Sequence, residues 1–563
     1  MEFGDKIWKF VNEGAAKSSK EIKFQVDGLH PKLLQILVSR GIDSQEKVEI
    51  FLNGGLQYLH NPFLFKQAQK AVERIRKAID LKEFILVYGD RDVDGITAVN
   101  IIVDTIKRLG GIVQWYVPAD EGYGIHKDIL SQYKVENVKV LITVDCGISA
   151  KEEIEYAKSL GIDVILTDHH EPVEDTIPSP YACIDSKLKG TKYPFKDIAG
   201  CAVSLKLAQA LIMTYNRQYN KYNLLFTADK DGEDFKGEFS WICNDVLIEQ
   251  KSFHSIEELR KEIKAAHRVY TFSSQAAAAL IKKDILLRDK IIIFEDEGKK
   301  DLRSLFYRKV KIDYSEERLT DFFESNLDIC ALGTIADSMP LLDENRIIVR
   351  EGLKIIASNP HCRPGLGLLI EDTLKTKDSY NITAQSISWN VTPVLNSSGR
   401  MGRGSLSAQL LITRDKFQAQ TLYTDIIKLN SERRGLQLEN IWQFKTLLKE
   451  QCDSDKDKVL IVKASNLEHG VTGIIAAHIV KTYSKPAFLL ISDGNEAIGA
   501  VRSIEGFNII DALESVKDIL IKYGGHNQAA GFTIENSKID EFKKRIMEYA
   551  DKKIGVIESL NAI

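Results

Sequence analysis

The chain has 563 residues, 44% hydrophobic and 28% charged, with a formal net charge of −4. This is the balance of an ordinary soluble globular protein, long enough for two or three domains with real cores. The 7 cysteines are scattered, with no C-x-x-C pair, which argues against a disulfide framework or a structural zinc site and for a reducing cytoplasm. An acidic total does not exclude nucleic acid, because binding needs a local basic surface only.

The first segment, "MEFGDKIWKFVNEG", has no uninterrupted apolar core and does not read as a signal peptide. No run of about eighteen apolar residues offers a membrane span. From Phe84 the pattern becomes regular. "FILVYG" is a short apolar run expected to be a buried strand, and "ITAVNIIVDTIKRLGG" is a helix ending at glycines. "VKVLITVD", a helical "SAKEEIEYAKSLG" and "DVILTD" follow. Strand and helix alternating in this way predict a parallel sheet wrapped on both faces. From about 211 to 326 the chain is polar, with an exposed loop expected at "KDGEDFKG", a helix at "SIEELRKEIKAAHRVY" and a strand at "DKIIIFEDEG". It reads as a folded α/β insertion. "LDICALGTIADSMPLL" resumes a core-like texture, and a second α/β unit follows. There "QLENIWQFKTLLKE" sets Leu438, Ile441, Trp442 and Leu448 as a packing stripe, with Trp442 expected in the core. "KVLIVKAS", "AFLLISDG" and "AIGAVRS" are strand candidates, with the helix "GVTGIIAAHIVKTY" between the first two.

Chemistry concentrates at the ends of the first three strands. "VYGDRDVDG" supplies Asp90, Asp92 and Asp94, "LITVDCG" supplies Asp145, and "VILTDHHEP" supplies Asp168, His169 and His170. D-x-D-x-D-G also opens an EF-hand loop, but that loop needs a bidentate glutamate at its twelfth position. Counted from Asp90 that position is Ile101. Ligands of open parallel sheets bind beyond the carboxyl ends of the strands, so these side chains should meet at one edge. So many carboxylates cannot crowd together without cations to offset their repulsion. Mixed carboxylate and imidazole donors suit manganese or magnesium, admit zinc and suit calcium poorly. Taken singly, an aspartate after a strand is as often a helix N-cap, and that alternative stands for Asp145.

"GDRDVDG", "VDCGIS", "TDHHEP" and "LGTIADSMPL", in that order, resemble the motifs of the DHH phosphoesterase superfamily. "NSSGRMGRGSLSAQLLITRD", "GVTGIIA", "GAVRSIEGFNIIDAL" and "GGHNQAAGF" resemble its associated second domain, in the form found in RecJ-like single-strand-specific exonucleases. The resemblance covers about residues 80 to 210 and 327 to 535. It implies a parallel-sheet DHH domain joined across a cleft to a smaller α/β domain. The implied boundaries are an N-terminal segment 1–79, a DHH domain 80–355 containing the insertion, a connecting region 356–390, and a DHH-associated domain 391–563. It also implies two Mn2+ or Mg2+ ions held by Asp92, Asp94, Asp145, His169 and Asp337. Asp90 and His170 would lie in or beside that shell, and Asp168 would orient its neighbours.

Nucleic acid would be gripped by Arg400 and Arg403 in a glycine-rich loop, by Arg502 and Ser503 after a strand, and by Gly524, Gly525 and His526. Where RecJ-like chains commonly read Asn-Pro after the third motif, this one has Asp185-Ser186. No C-terminal OB-fold is expected, and with it goes a groove for long strands. The implied function is cytoplasmic 5′→3′ hydrolysis of single-stranded DNA in recombination and repair. The partners implied are a single-strand-binding protein and a helicase, and no membrane. The alternatives are a DHH phosphodiesterase of short oligonucleotides or cyclic dinucleotides, and a non-catalytic DHH scaffold.

Overall fold

The structure, a computed structural model, describes residues 24–553 except 27, 120, 122–123, 173–175, 296–299, 359–362, 375–381 and 466–470. "MEFGDKIWKFVNEG" thus lies outside the described residues. Two short helices, α1 (Pro31–Ser39) and α2 (Gln45–Asn53), and then α3 (Ala68–Asp80), lead into β1 (Phe84–Gly89). Next come α4 (Val93–Arg108), β2 (Ile112–Tyr116), α5 (Lys127–Val135), β3 (Val138–Val144), α6 (Lys151–Ser159), β4 (Asp163–Thr167), β5 (Ala182–Ile184) and α7 (Gly200–Met213). The five strands form a fully parallel sheet in the order β2-β1-β3-β4-β5. Its central strands β1 and β3 are buried on both faces along nearly their whole length, which is why they read as continuous apolar runs and not as an alternation. Leu86, Leu141 and Leu166 pack with Leu130, Ile154 and Ala157 of α5 and α6 on one side. The edge strands β2 and β5 lacked that signal: "IVQWY" is only partly buried and β5 is three residues long.

A second sheet follows. Its elements are β6 (Tyr222–Asp231), β7 (Asp234–Cys243), β8 (Val246–Phe253), α8 (Ile256–Ala265), β9 (Val269–Thr271), α9 (Ser274–Lys283) and β10 (Ile291–Ile293), with strand order β10-β9-β6-β7-β8. Leu224, Phe226, Phe239 and Phe253 pack with Leu259, Ile263 and Leu280 in a core of their own. The expected loop "KDGEDFKG" is corrected here. It is the tip of the β6–β7 hairpin, with Asp231 paired to Asp234 and only Gly232 and Glu233 between them. Gly232, the first of the two loop residues, takes φ +61°, the positive φ that a two-residue hairpin turn requires at that position.

Helices α10 (Leu302–Tyr314), α11 (Glu317–Ala336), α12 (Asp343–Ser358) and α13 (Pro364–Leu374) return the chain to the first sheet, and α11 packs against both α4 and α7. A short turn α14 (Ala384–Ser386) and a π-helical turn (Ile387–Val391) precede α15 (Thr392–Arg400), α16 (Ser405–Ile412) and the 36-residue α17 (Lys416–Gln451). The chain divides into two compact units, one taking in 22–399 and 403–424 and the other 400–402 and 425–563, so the long run of the second begins inside α17.

The second unit is built on β11 (Leu460–Ser465), α18 (Thr472–Tyr483), β12 (Ala487–Asp493), β13 (Glu496–Arg502), α19 (Ile509–Glu514), β14 (Leu520–His526), β15 (Ala529–Glu535) and α20 (Ile539–Lys553). Its strands run in the order β11-β12-β13-β15-β14, with only β11 and β12 parallel. Phe488, Phe532 and Phe542 fill one face of this sheet, and Phe444 and Leu448 of α17 help cover the other. The expected stripe on α17 does not hold. Leu448 is buried, but Leu438 and Trp442 are each 70% exposed. At about 100° per residue, Trp442 stands roughly 100° around the helix from Ile441 and still farther from Phe444. The buried face is set by Ile441, Phe444 and Leu448 instead.

Candidate metal centre

β1 ends at Gly89, and the next six residues build the first wall of the site. Asp92 caps α4, its Oδ1 accepting from the backbone nitrogens of Asp94 (2.9 Å) and Gly95 (3.1 Å). A Cβ at Gly95 would stand 2.5 Å from the carbonyl oxygen of Asp90, so only glycine lets the chain fold back this tightly. Asp94 then points inward from the first turn of α4 and is 1% exposed. Its carboxylate accepts from Gly200 N (2.7 Å) and Cys201 N (2.9 Å), the opening amides of α7. Helix α7 has no side-chain cap of its own. Asp94 takes that place from another helix, where the amides and the helix dipole favour an anion.

Asp145 follows β3 with φ +59°, a left-handed conformation uncommon for a non-glycine residue. It does not cap α6, whose capping position is Ala150. Asp168 follows β4 and is fully occupied: Oδ2 accepts from Ile148 N (2.9 Å), and Oδ1 from the backbone nitrogens of His169 and His170. Its Oδ1 also lies 2.7 Å from His170 Nδ1. Burial alone would raise the Asp168 carboxyl, but the His170 bond and charge outweigh it and hold the group below the usual range. Burial likewise opposes the charge on His170, yet Asp168 carries its imidazole up to about 9. Asp337 caps the C-terminal end of α11.

These elements converge on one atom. His169 Nε2 lies 3.2 Å from Asp145 Oδ1, 3.6 Å from Asp337 Oδ2 and 3.8 Å from Asp94 Oδ2. Burial pushes the His169 imidazole below its ordinary value, which favours the neutral, metal-binding form. Burial and the neighbouring aspartates raise Asp90 to about 7 and Asp337 to about 8, and raise Asp92 and Asp145 as well. Asp145 Oδ1 and Asp337 Oδ2 are buried without a hydrogen-bond donor among the described residues. Three overlapping trios of donors lie within 4.8 Å of one another: Asp90–Asp92–Asp145, Asp94–His169–Asp337 and Asp145–His169–His170. A buried cluster of carboxylates, partnerless oxygens and a neutral imidazole fits divalent cations.

Gly200 and Gly333, which hold this geometry open, were not singled out from the sequence. A Cβ on Gly333 would come within 2.3 Å of Thr97 Oγ1 and 3.0 Å of Asp94 Oδ1. A Cβ on Gly200 would stand 2.5 Å from Asp145 Oδ1. The available signal was an apolar helix, "GCAVSLKLAQALIM", that begins without a capping side chain. Gly200→Ala suits a helix but should displace Asp145 and weaken Mn2+ binding about tenfold or more. A Mn2+ titration followed by electron paramagnetic resonance, with circular dichroism as the folding control, measures this.

The candidate phosphate-binding residues are distributed differently from expectation. "SSGRMGRGS" is not a loop throughout: α15 continues to Arg400, and only 401–404 form the turn that carries Arg403. A helix C-terminus presents carbonyl groups, so the backbone offers phosphates little there. Asn396, one turn before Arg400, accepts from Val93 N within the first motif (3.1 Å). Ser503 is committed internally, its Oγ donating to Phe507 O (2.7 Å). Gly524 and Gly525 lie in edge strand β14, where a Cβ on Gly525 would meet Ala529 O at 2.4 Å. This glycine is explained by strand pairing. The register does align Arg502 of β13, Ala529 of β15 and His526 of β14 across three neighbouring strands.

Parallel sheet, clustered aspartates and paired histidines define a DHH-type fold: residues 84–228 match the DHH family, N-terminal domain, and residues 456–552 match the DHHA1 domain. The two matches follow one another in the order of the motifs that resemble them. The chain is 29% identical to the single-stranded-DNA-specific exonuclease RecJ of Bacillus subtilis, over 94% of this chain and 54% of that protein. The Escherichia coli RecJ is 27% identical over 92% of this chain and 74% of its own length. The chain thus spans about half the length of the Bacillus relative. Among solved structures, RecJ of Thermus thermophilus in complex with Mn2+ superposes with a TM-score of 0.63 at 23% identity, over 93% of this chain and 59% of that one. No helix among the described residues is long and apolar enough to cross a membrane.

Proposed function

We propose that this chain is a divalent-metal-dependent exonuclease that hydrolyses single-stranded DNA, with the 5′→3′ polarity and the repair and recombination role that the RecJ resemblance implies. The observation that carries it is the convergence of three carboxylate oxygens within 3.8 Å of His169 Nε2, two of them without a protein donor among the described residues. Asp92, Asp94, Asp145, His169 and Asp337 would hold two ions, Mn2+ or Mg2+, with Asp90 and His170 beside them. Bound there, the cations polarise the phosphodiester and lower the pKa of the attacking water. The chain's own residues do the rest. The α7 amides hold the Asp94 carboxylate aimed, Asp168 fixes the His170 ring, and Arg400, Arg403 and Arg502 neutralise phosphates of the strand. No serine or cysteine nucleophile is needed. A single-strand-binding protein and a helicase are the partners, and the cytoplasm the compartment, that this role implies.

Digestion of end-labelled single- and double-stranded DNA tests the proposal. Cleavage should stop in EDTA and return with Mn2+ at least as well as with Mg2+. Efficiency should rise from a dinucleotide to about ten nucleotides as phosphate contacts accumulate, with a duplex end cut far more slowly. A preference for dinucleotides or cyclic dinucleotides would reject the exonuclease and leave only the metal chemistry. Replacing Arg403 or Arg502 by glutamine should weaken DNA binding and reduce the salt slope by about 0.7 for each phosphate that is no longer neutralised.

A further inference from the structure

The geometry points to a second nucleic-acid contact on the exposed face of α17, built from residues other than those of the metal centre, and we propose that Trp442 there is a stacking platform for a base of single-stranded DNA. Trp442 and Leu438, one turn apart, are each 70% exposed. The helix is anchored by Phe444 and Leu448, so packing gives no account of them. At about 100° per residue, Lys428, Arg434, Leu438, Trp442, Lys445 and Lys449 fall within an arc of roughly 120°. Four are cations, and no carboxylate shares that arc; Glu432, Glu439 and Glu450 lie beyond its edge. Lys481 of the neighbouring α18 adds to the same positive field: with burial, Lys445 and Lys481 push the His478 imidazole below its ordinary value.

From Lys428 to Lys449 the stripe is about 30 Å long, at 1.5 Å per residue. Protein-binding faces are depleted in lysine at their centre, whereas non-specific single-strand surfaces combine a basic track with an aromatic ring. Charge complementarity therefore favours a polyanion of stacked bases over a protein partner. The inference rests on the nuclease reading, since it supplies the strand to be held.

Fluorescence anisotropy of a labelled oligothymidylate of about twenty nucleotides, long enough for such a site, tests it with the full chain in EDTA. Trp442→Ala should weaken binding about tenfold, the usual effect of losing one base–aromatic stack. Trp442→Phe should recover most of the loss. Lys445→Gln with Lys449→Gln should lower the slope of log affinity against log salt by about 1.4. Trp442 is largely exposed, so unchanged thermal melting serves as the folding control. If the unaltered chain binds and every variant matches it, this contact is refuted while the nuclease reading stands. If the unaltered chain binds no oligonucleotide, the nuclease reading itself fails and the inference falls with it. If Trp442→Ala leaves DNA binding intact but dissociates a dimer in sedimentation, the face is a protein contact and the proposal is wrong.

Discussion

Asp145→Ala should abolish nearly all phosphodiester cleavage while leaving the chain folded. Loss of a partner that merely orients a metal ligand costs about 10–100-fold in activity, and Asp145 sits closer to the centre than that. Its Oδ1 is 3.2 Å from His169 Nε2 and has no donor among the described residues. The same change removes a buried carboxylate that Asp94, Asp92 and Asp90 repel. The metal-free variant should therefore melt no lower than the metal-free parent. Mn2+ should raise the melting temperature of the parent strongly and that of the variant little, because only the binding-competent native state is stabilised. His169→Ala and Asp94→Ala should behave alike in activity. Full activity in any of the three would remove that residue from the mechanism.

The metal-free protein should lose stability as pH rises from about 4 to about 8, and divalent cations should cancel the loss. Asp90 is raised to about 7 and Asp337 to about 8, chiefly by burial and then by neighbouring aspartates. A carboxyl whose folded pKa exceeds its unfolded value of about 3.9 binds more protons folded than unfolded between the two. Its contribution is fully present below the unfolded pKa and is lost as pH rises through the folded one. Cations reverse the sign by taking the place of the protons, so Mn2+ binding should release the most protons below pH 7 and fewer as pH rises through 7 to 8. Melting curves at pH 5.5, 7 and 8.5, with and without Mn2+, decide this. A metal-free melting temperature that rises across that range would show that the cluster is not protonated in the empty protein.

The clustering at the candidate metal centre was legible in the sequence because parallel strands bring their carboxyl ends to one edge whatever packs around them. "GDRDVDG", "TVDCG" and "TDHHEP" each followed an apolar run buried on both faces, and order along the chain sufficed to bring them together. What stayed hidden lay at edges and on helix faces. β2, β14 and β15 escaped notice because half-exposed edge strands and hairpins carry mixed composition. Trp442 was misplaced because apolar residues on a helix can be assigned to a face only once it is known which side meets the sheet.

The sequence by itself therefore determined the class of chemistry: aspartates and histidines after buried strands, in an order that only a shared sheet edge can use. Tertiary structure alone decided how those groups are held. The uncapped amides of α7 receive Asp94 from α4, and Gly200 and Gly333 leave room that any side chain would fill. Asp337 arrives from the end of α11, on the far side of an inserted sheet. Asp94 and Gly200 stand 106 positions apart along the chain, and Asp337 is farther still from Asp94. Such separations leave no local periodicity to read, and only packing brings the partners within hydrogen-bond reach.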